Sequence, residues 1–420
     1  MKERFACVHI FLGTDFVPAG LIEVVEDGPL STCRYRYFDE YLERKDAVAV
    51  DPVRLPLHDA MRGNRVFDGP LGGDLFGGIE DACPDSWGRH VLDTAAENAG
   101  HALQPYDYML YAGRERIGAL GFSERIKEPP FQNFPDWLRE PLDNELSLEE
   151  MLRAADKVED AENLEPQYRR FFVRGSSLGG AKPKAAIEHE GESWIAKFGA
   201  EREVLPTCRM EHATMELARL CGIRTPETRI VTVYENRDIL LVKRFDRLAG
   251  TCVRLPFVSA LTMLGRSRSE ADHPATYINI AEAMRRYCAG STLKNDLAEL
   301  FSRMIFNICC NNNDDHLRNH GFLHLETRVR GWTLSPLYDV VPQPFNQETL
   351  QLGIGSQGRK ATFENALSSA AHFGLSREEA ENSVLKIKKT VFANWEKLMR
   401  GAGVPASLLP MVRKSFKAVF

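Results

Sequence analysis

Residues 311–322 read NNNDDHLRNHGF, and this short run of amide, carboxylate and imidazole side chains carries the most informative spacing in the chain. The run follows an apolar helical pattern, FSRMIFNICC at residues 301–310, and precedes a strand-like segment, LSPLYDVV at residues 334–341. Asn and Asp are good turn formers, so a plain polar turn is the simplest interpretation. A loop for phosphoryl transfer is the sharper interpretation, because two of its residues have the spacing that this chemistry uses.

The two residues are Asp314 and Asn319, which are five positions apart, as are the catalytic base and the magnesium-binding amide of protein kinases. His316 and Arg318 lie between them and are further catalytic candidates. Asp339 follows in a strand-then-turn context, where a second magnesium carboxylate is needed. Phosphoryl transfer requires a carboxylate base, oxygen ligands for Mg²⁺ and positive charge. We therefore expect Asp314 to be the base, and Asn319 and Asp339 to hold Mg²⁺.

The segment upstream of this loop predicts a small sheet, and the segments around the loop predict helices. From residue 176 the pattern reads glycine-containing loop, strand, strand, helix, strand, strand, with a turn predicted at Glu190 and Gly191 and a helix end predicted at Gly222. After residue 246 the apolar residues recur at helical spacing. This order predicts an α+β fold with a bilobed, protein-kinase-like core, in which a small mixed-sheet N lobe precedes a helical C lobe.

Two charged residues of the small sheet region gain meaning from this order. Lys197 ends the second strand and Glu211 lies on the next helix, and such a pair fixes the α- and β-phosphates of ATP in kinases. Taken alone, the two residues are more often surface charges. In the loop SSLGGAKPK, Gly179 and Gly180 permit backbone amides to approach phosphates and Lys184 adds charge, although an ordinary turn has the same composition.

The proline content and the order of the predicted elements indicate where the domains begin and end. Residues 1–125 read as strands and short helices, and residues 126–146 contain four prolines. We expect a β-rich domain with its linker at 1–146, the N lobe at 147–248 and the C lobe at 249–420. Two capping-box patterns, Ser147 with Glu150 and Ser376 with Glu379, predict helix starts.

Bulk properties exclude several classes of protein. The net charge of −6 gives no general reason for nucleic-acid binding, and the nine cysteines include no C-x-x-C pair. No stretch approaches the roughly 18 apolar residues of a membrane span. These properties predict a soluble, cytoplasmic protein without a membrane partner.

A second enzymatic interpretation is a metal-dependent phosphohydrolase. Its ligands would be Asp314, Asp315, His316, His320 and Asp339. This interpretation ranks second because it gives Lys197 and Glu211 no role.

The motifs together resemble the HipA family of bacterial serine/threonine kinases, the toxins of toxin–antitoxin modules. The resemblance spans nearly the whole chain, and the D-x-H-x-x-N spacing is similar to that of phosphoinositide-type lipid kinases, whose fold the family shares. The matching segments are FGGIEDACPDSWGR (76–89), YAGRERIGALGF (111–122), SSLGGAKPKA (176–185), WIAKF (194–198), RFDR (244–247), NDDHLRN (313–319) and LSPLYDV (334–340).

The resemblance implies ATP and Mg²⁺ as cofactors and adds roles that the spacing alone does not give. Backbone groups of Lys243 and Phe245 would bind adenine, with Asp246 near the ribose. Ser177, with Ser176 beside it, matches a loop serine that family members phosphorylate on themselves.

The resemblance also implies partners. The protein substrate would be a translation component such as an aminoacyl-tRNA synthetase. A small helix-turn-helix antitoxin would be a partner, so nucleic acid would be reached only indirectly. A non-catalytic alternative remains open, in which the chain is a co-repressor partner of a DNA-bound antitoxin.

Overall fold

The computed structural model describes residues 2–26, 31–63, 65–70, 74–132, 134–135, 138, 147–159, 182–200, 203–325, 331–345 and 348–420. The chain divides into two compact units. Unit 1 comprises Met1–Phe198 and Arg244–Ala271, and unit 2 comprises Gly199–Lys243 and Asp272–Phe420. The domain boundaries expected at residues 146 and 248 stay predictions.

Unit 1 begins with an antiparallel five-stranded sheet in the order β4-β3-β2-β1-β5. Residues 6–12 of β1 are all buried, so both faces of this strand are covered. The strands are β1 (Lys2–Leu12), β2 (Asp15–Glu26), β3 (Thr32–Tyr37), β4 (Val66–Asp68) and β5 (Leu120–Ser123). The accompanying helices are α1 (Asp39–Leu42), α2 (Leu57–Met61), α3 (Gly77–Glu80), α4 (Ser86–Asn98) and α5 (Pro105–Tyr111). The expected β-rich N-terminal region is confirmed.

The rest of unit 1 contains a helix and a hairpin that the sequence predicts. Helix α6 (Leu148–Glu159) starts at the expected capping box, where the backbone N–H of Ser147 donates to the Glu150 carboxylate at 2.8 Å. Strands β6 (Lys184–His189) and β7 (Glu192–Phe198) pair around a turn with positive φ at Glu190 and Gly191. The unit ends with β10 (Phe257–Ser259) and α8 (Ala260–Met263).

Unit 2 contains a helix followed by a hairpin and then a mainly helical region. Helix α7 ends as predicted before Gly222, whose φ of +86° suits glycine. The elements are α7 (Thr207–Leu220), β8 (Thr228–Thr232), β9 (Asp238–Lys243), α9 (Tyr277–Tyr287), α10 (Gly290–Cys310), β11 (Gly321–His324), β12 (Trp332–Leu334), α11 (Phe363–Ser368), α12 (Arg377–Gly401) and α13 (Leu409–Val412).

The core of unit 2 is built on its longest helix. Helix α12 packs against α7 and α10 through one buried stripe. The members of the stripe are Ala380, Ile387, Val391, Trp395 and Met399. Each large apolar side chain contributes about 1.5–3 kcal/mol when fully buried, so this stripe fixes the helix that carries Glu211.

Antiparallel hairpins and segregated helices confirm the α+β class. None of the helices in the described ranges is long and apolar enough to cross a membrane. All nine cysteines lie in those ranges and are free thiols.

Candidate active site

The predicted catalytic loop connects α10 to β11 in unit 2. Helix α10 ends at Cys310, and the next residue, Asn311, adopts the left-handed conformation with φ of +50°, a conformation that Asn tolerates well. The Asn311 amide donates to the backbone carbonyls of Gln343 at 2.6 Å and Phe345 at 3.2 Å. The first residue of the loop therefore fastens the chain segment that follows Asp339.

A buried polar network supports the loop from below. The Asn312 amide donates to the Asn307 side chain at 3.1 Å, and the Asn307 amide donates to the Tyr277 hydroxyl at 3.1 Å. The Tyr277 hydroxyl donates in turn to the Asp315 carboxylate, which also lies 3.0 Å from His320 Nε2. All five side chains are buried. Much of the polar character of the loop is therefore structural, as the turn interpretation anticipated.

Asp315 is the charged centre of this network. Burial alone would raise the pKa of its carboxyl group, but the charge and hydrogen bond of His320 and the hydrogen bond of Tyr277 hold that pKa below its ordinary value. Asp315 and His320 face each other, and this arrangement disfavours the phosphohydrolase, which needs both side chains on a metal. Within the described ranges, no group of three or more His, Cys, Asp and Glu side chains is arranged to hold a metal ion.

The three catalytic candidates of the loop all have access to solvent. Asp314 is exposed, and His316 and Arg318 are partly exposed. Asn319 is buried at the end of a short 3-10 turn, and its amide nitrogen donates to the Asp314 carbonyl oxygen at 3.1 Å. This hydrogen bond orients the amide so that its oxygen Oδ1 is the atom available to a metal ion.

The pKa of Asp314 indicates that Asp339 lies near it. Partial burial and then the negative charges of Asp339 and Asp315 raise the pKa of Asp314, while His316 opposes the increase. Two carboxylates that repel each other in this way form a favourable position for a cation.

Asp339 lies in a segment that is tied to the catalytic loop. Its φ of +58° places it in the left-handed region, which is uncommon outside glycine and recurs at functional sites. The hydroxyl of neighbouring Tyr338 donates to the Arg318 carbonyl oxygen at 2.6 Å, and the Gln343 N–H donates to the Asn311 carbonyl oxygen at 3.3 Å. Unit 2 therefore brings Asp314, Asn319 and Asp339 together.

The predicted ATP-binding residues are divided between the two units. In unit 2, Glu211 is buried on α7 and Lys243 is the last residue of β9. In unit 1, Lys197 is partly exposed and lies directly opposite Lys184 in the β6–β7 pair. Lys184 is buried, and its ammonium group lies 3.7 Å from the carboxylate of Asp85. Lys184 thus forms a buried ion pair within unit 1. The contact of Lys184 with phosphate stays a prediction.

Four predicted residues lie outside the described residues: the loop glycines and the candidate modified serines. They are Gly179, Gly180, Ser176 and Ser177.

Asp246 lies in an ion-pair cluster inside unit 1. Its carboxylate accepts hydrogen bonds from the guanidinium groups of Arg244, at 2.7 and 2.9 Å, and Arg247, at 2.7 Å, and from the Gly118 N–H, at 2.7 Å. Both guanidinium groups also donate to the Arg116 carbonyl oxygen. Burial would raise the pKa of Asp246, but the two arginines hold it far below its ordinary value. Both oxygens of this carboxylate thus already accept hydrogen bonds within unit 1. The predicted contact of Asp246 with ribose stays a prediction.

Sequence reasoning missed the buried polar residues of α10 that hold the site. Arg303 and Asn307 are fully buried, and Asp296 is nearly so. They share the helix face of Leu300 and Met304. A charged or amide residue at the core positions of a predicted apolar helix is the signal that identifies such residues.

Comparison with known proteins first defines the class. The chain is similar in structure to HipA of the Shewanella oneidensis MR-1 toxin–antitoxin system, which was solved with HipB and operator DNA. The alignment covers 98% of this chain and 95% of the HipA chain, with a TM-score of 0.67 and 16% sequence identity. The chain therefore has the HipA fold.

The family follows from the sequence model of the HipA-like C-terminal domain, which matches residues 176–395, more than half of the chain. The chain belongs to the HipA-like family, as the motifs indicated.

Two curated relatives are also similar. "Putative kinase Y4dM" of Sinorhizobium fredii is 25% identical over 213 residues, covering 47% of this chain and 49% of that protein. "Putative kinase" of Haemophilus influenzae is 26% identical over 211 residues, covering 43% of this chain and 57% of that protein. The chain thus spans about half the length of the curated relatives it matches.

Proposed function

We propose that this chain is an ATP- and Mg²⁺-dependent serine/threonine protein kinase of the HipA type. The observation that supports the proposal is the meeting of Asp314, Asn319 and Asp339 in unit 2, with the charge of Asp339 acting on Asp314. Membership of the HipA-like family and the names of the two relatives agree with it.

The donor set suits a magnesium ion. Asp339 offers a carboxylate, and Asn319 offers Oδ1 because its amide nitrogen is already engaged. Mg²⁺ prefers oxygen ligands of this kind and usually takes its remaining positions from water and phosphate. When bound, the ion would neutralise charge on the phosphates of the nucleotide.

Asp314 and its neighbours supply the proton transfer and the positive charge. The raised pKa of Asp314 makes it a stronger base than an ordinary aspartate, which suits acceptance of the substrate hydroxyl proton. In the described part of the chain, Arg318 Nε is buried without a hydrogen-bond partner. A buried donor of this kind is suited to an anionic ligand, so we assign Arg318 and His316 to the phosphoryl group.

The nucleotide roles of the remaining residues form part of the same proposal. Lys197, Glu211 and Lys184 would serve the phosphates together with Gly179 and Gly180. The backbone of Lys243 and Phe245 would serve adenine, with Asp246 near the ribose, and Ser177 or Ser176 would be the site of self-phosphorylation.

The cellular role we propose is that of a cytoplasmic toxin that phosphorylates a translation component such as an aminoacyl-tRNA synthetase. Its partner would be a small helix-turn-helix antitoxin that provides the contact with DNA. The solved HipA is in a complex with HipB and operator DNA, which supports this partner by analogy.

Labelled ATP with Mg²⁺ tests the activity. The wild-type chain is expected to transfer label to serine or threonine, in a substrate protein or within residues 174–184, as located by mass spectrometry. Asp314→Asn should lower the rate about 10²–10⁴-fold, the usual worth of a general base. Asp272→Asn, an equal change at an exposed residue of unit 2, is the control and should have no effect.

Two results would contradict the proposal. Full activity in Asp314→Asn would remove the assigned base. Release of phosphate from small esters that persists in Lys197→Ala would instead favour the hydrolase.

A further inference from the structure

An ion-pair network, formed by Arg224, Asp296, Glu299 and Arg303, holds the chain segment that leads to Asp339. Asp296 on α10 accepts a hydrogen bond from the Thr333 hydroxyl at 2.7 Å and from the Leu334 N–H at 3.1 Å. A single carboxylate oxygen therefore fixes the strand β12, five residues before Asp339.

Arg303 fixes the next residue of the segment. Its fully buried guanidinium group donates to Glu299 at 3.1 Å through Nε and to the Ser335 carbonyl oxygen through Nη2. Because both Asp296 and Arg303 lie on α10, the helix that precedes the catalytic loop also holds the segment of Asp339.

Arg224 joins the network from the other side. It follows α7, the helix of Glu211, by four residues, and donates to Glu299 at 2.5 Å and to Asp296 at 2.8 Å. The Arg224 carbonyl oxygen also accepts the Leu337 N–H at 2.8 Å. Arg224 thus follows the Glu211 helix closely in the chain, and it contacts two acids of α10 and the residue two positions before Asp339.

We propose that Arg224 is a positioning residue. It holds the segment before Asp339 in a fixed position relative to the helix of Glu211, so that Asp339 and Asn319 can share one cation. The inference rests on the proposed function, because the cation is the one assigned there. Its physical basis is the fork of the guanidinium group, which binds two carboxylates at fixed angles. Partners that hydrogen-bond a metal ligand usually change metal affinity or activity by about 10–100-fold when replaced, and Arg224 acts on Asp339 through Asp296 and the segment that Asp296 holds.

The test measures metal affinity directly. Mn²⁺, as a substitute for Mg²⁺, is titrated into the full chain with a non-hydrolysable ATP analogue and followed by electron paramagnetic resonance. Arg224→Gln should weaken Mn²⁺ binding by about 10–100-fold. Arg224→Lys keeps the charge but lacks the fork and should fall between Arg224→Gln and wild type.

Arg377→Gln is the matched control, since Arg377 forms an exposed ion pair with Glu381 on α12. It should bind Mn²⁺ like the wild type. Binding by Arg224→Gln equal to that of the wild type would overturn the inference while leaving the proposed function intact. If Arg224→Gln does not fold, Arg224→Lys decides alone, and wild-type affinity in that variant would overturn the inference. A wild-type chain that binds no Mn²⁺ with the analogue would overturn the proposed function, and this inference with it.

Discussion

Asp314 in unit 2 and Asp246 in unit 1 are both aspartates that the motifs mark as functional, yet their surroundings are opposite. Asp314 is largely exposed, and the burial of the rest of its side chain, together with neighbouring carboxylates, raises its pKa. Asp246 is 2% exposed, and two arginines and a backbone N–H lower its pKa. Partial burial and repulsion make the first carboxylate a stronger base and receptive to a cation, whereas saturation with donors makes the second a structural anchor.

The difference shows that a polar motif combines two kinds of residue. The proposed catalytic loop repeats the contrast between neighbours, because Asp315 is buried and fully engaged while Asp314 faces solvent. Stability and chemistry are therefore expected to separate when these residues are changed one at a time.

Replacement of Asp246 should have the largest effect on stability. Asp246→Asn removes the anion that two buried guanidinium groups share, and loss of one partner in a buried ion pair costs about 3–5 kcal/mol. Urea unfolding of the variant would measure this loss in the free energy of unfolding. The control is Asp68→Asn, whose ion pair with Arg34 is exposed. Unchanged stability would contradict this structural role, whereas weaker binding of an ATP analogue would support the proposed position of Asp246 near the ribose.

The adjacent aspartates Asp314 and Asp315 test the same contrast within one loop. Asp315→Asn should lower the free energy of unfolding by about 2–3 kcal/mol, because it weakens two hydrogen bonds to a buried charge. Asp314→Asn should leave stability within about 0.5 kcal/mol of wild type, as surface changes usually do. Equal losses in the two variants would remove the distinction between Asp315 as a structural anchor and Asp314 as the proposed catalytic base.

A buried histidine extends the comparison to pH. His9 is buried with the Ser123 hydroxyl as its partner at 2.8 Å, and burial lowers its pKa from 6.5 to about 4. His9 takes up a proton below pH 6.5 in the unfolded chain, but only below about pH 4 in the folded chain. The free energy of unfolding therefore decreases as the pH is lowered from 6.5 to 4. The loss at pH 5 is about 2 kcal/mol.

His9→Gln should flatten the slope of unfolding free energy against pH between 6.5 and 4. The exposed His58 is the control, and His58→Gln should keep the wild-type slope. A wild-type slope in His9→Gln would show that other groups cause the pH dependence of stability.

The smallest effect concerns a helix start that the sequence predicts by itself. The Ser376 hydroxyl accepts the Glu379 N–H at 3.2 Å, completing the capping box of α12. Ser376→Ala should cost about 1 kcal/mol, measured by thermal unfolding. A wild-type melting temperature would show that packing alone fixes this end of the helix.

Local signals of this kind were predicted well. The capping boxes at Ser147 and Ser376, the turn at Glu190 and Gly191, and the helix stop at Gly222 all depend on neighbouring residues, and all appear in the structure.

Burial of polar side chains was not predicted, since it depends on partners far away in the sequence. Asp315 is engaged by Tyr277, 38 positions before it, and Asp246 by Gly118, 128 positions before it. The spacing of Asp314 and Asn319 identifies the candidate site, but it does not show that Asp315 between them is structural.

The most direct test of the account is a crystal structure with Mg²⁺ and a non-hydrolysable ATP analogue. We expect a magnesium ion about 2.1 Å from an oxygen of Asn319 and of Asp339, with Asp315 still hydrogen-bonded to Tyr277 and His320. A metal ion bound by Asp315 and His320, or a nucleotide whose metal lies away from Asp339, would contradict it.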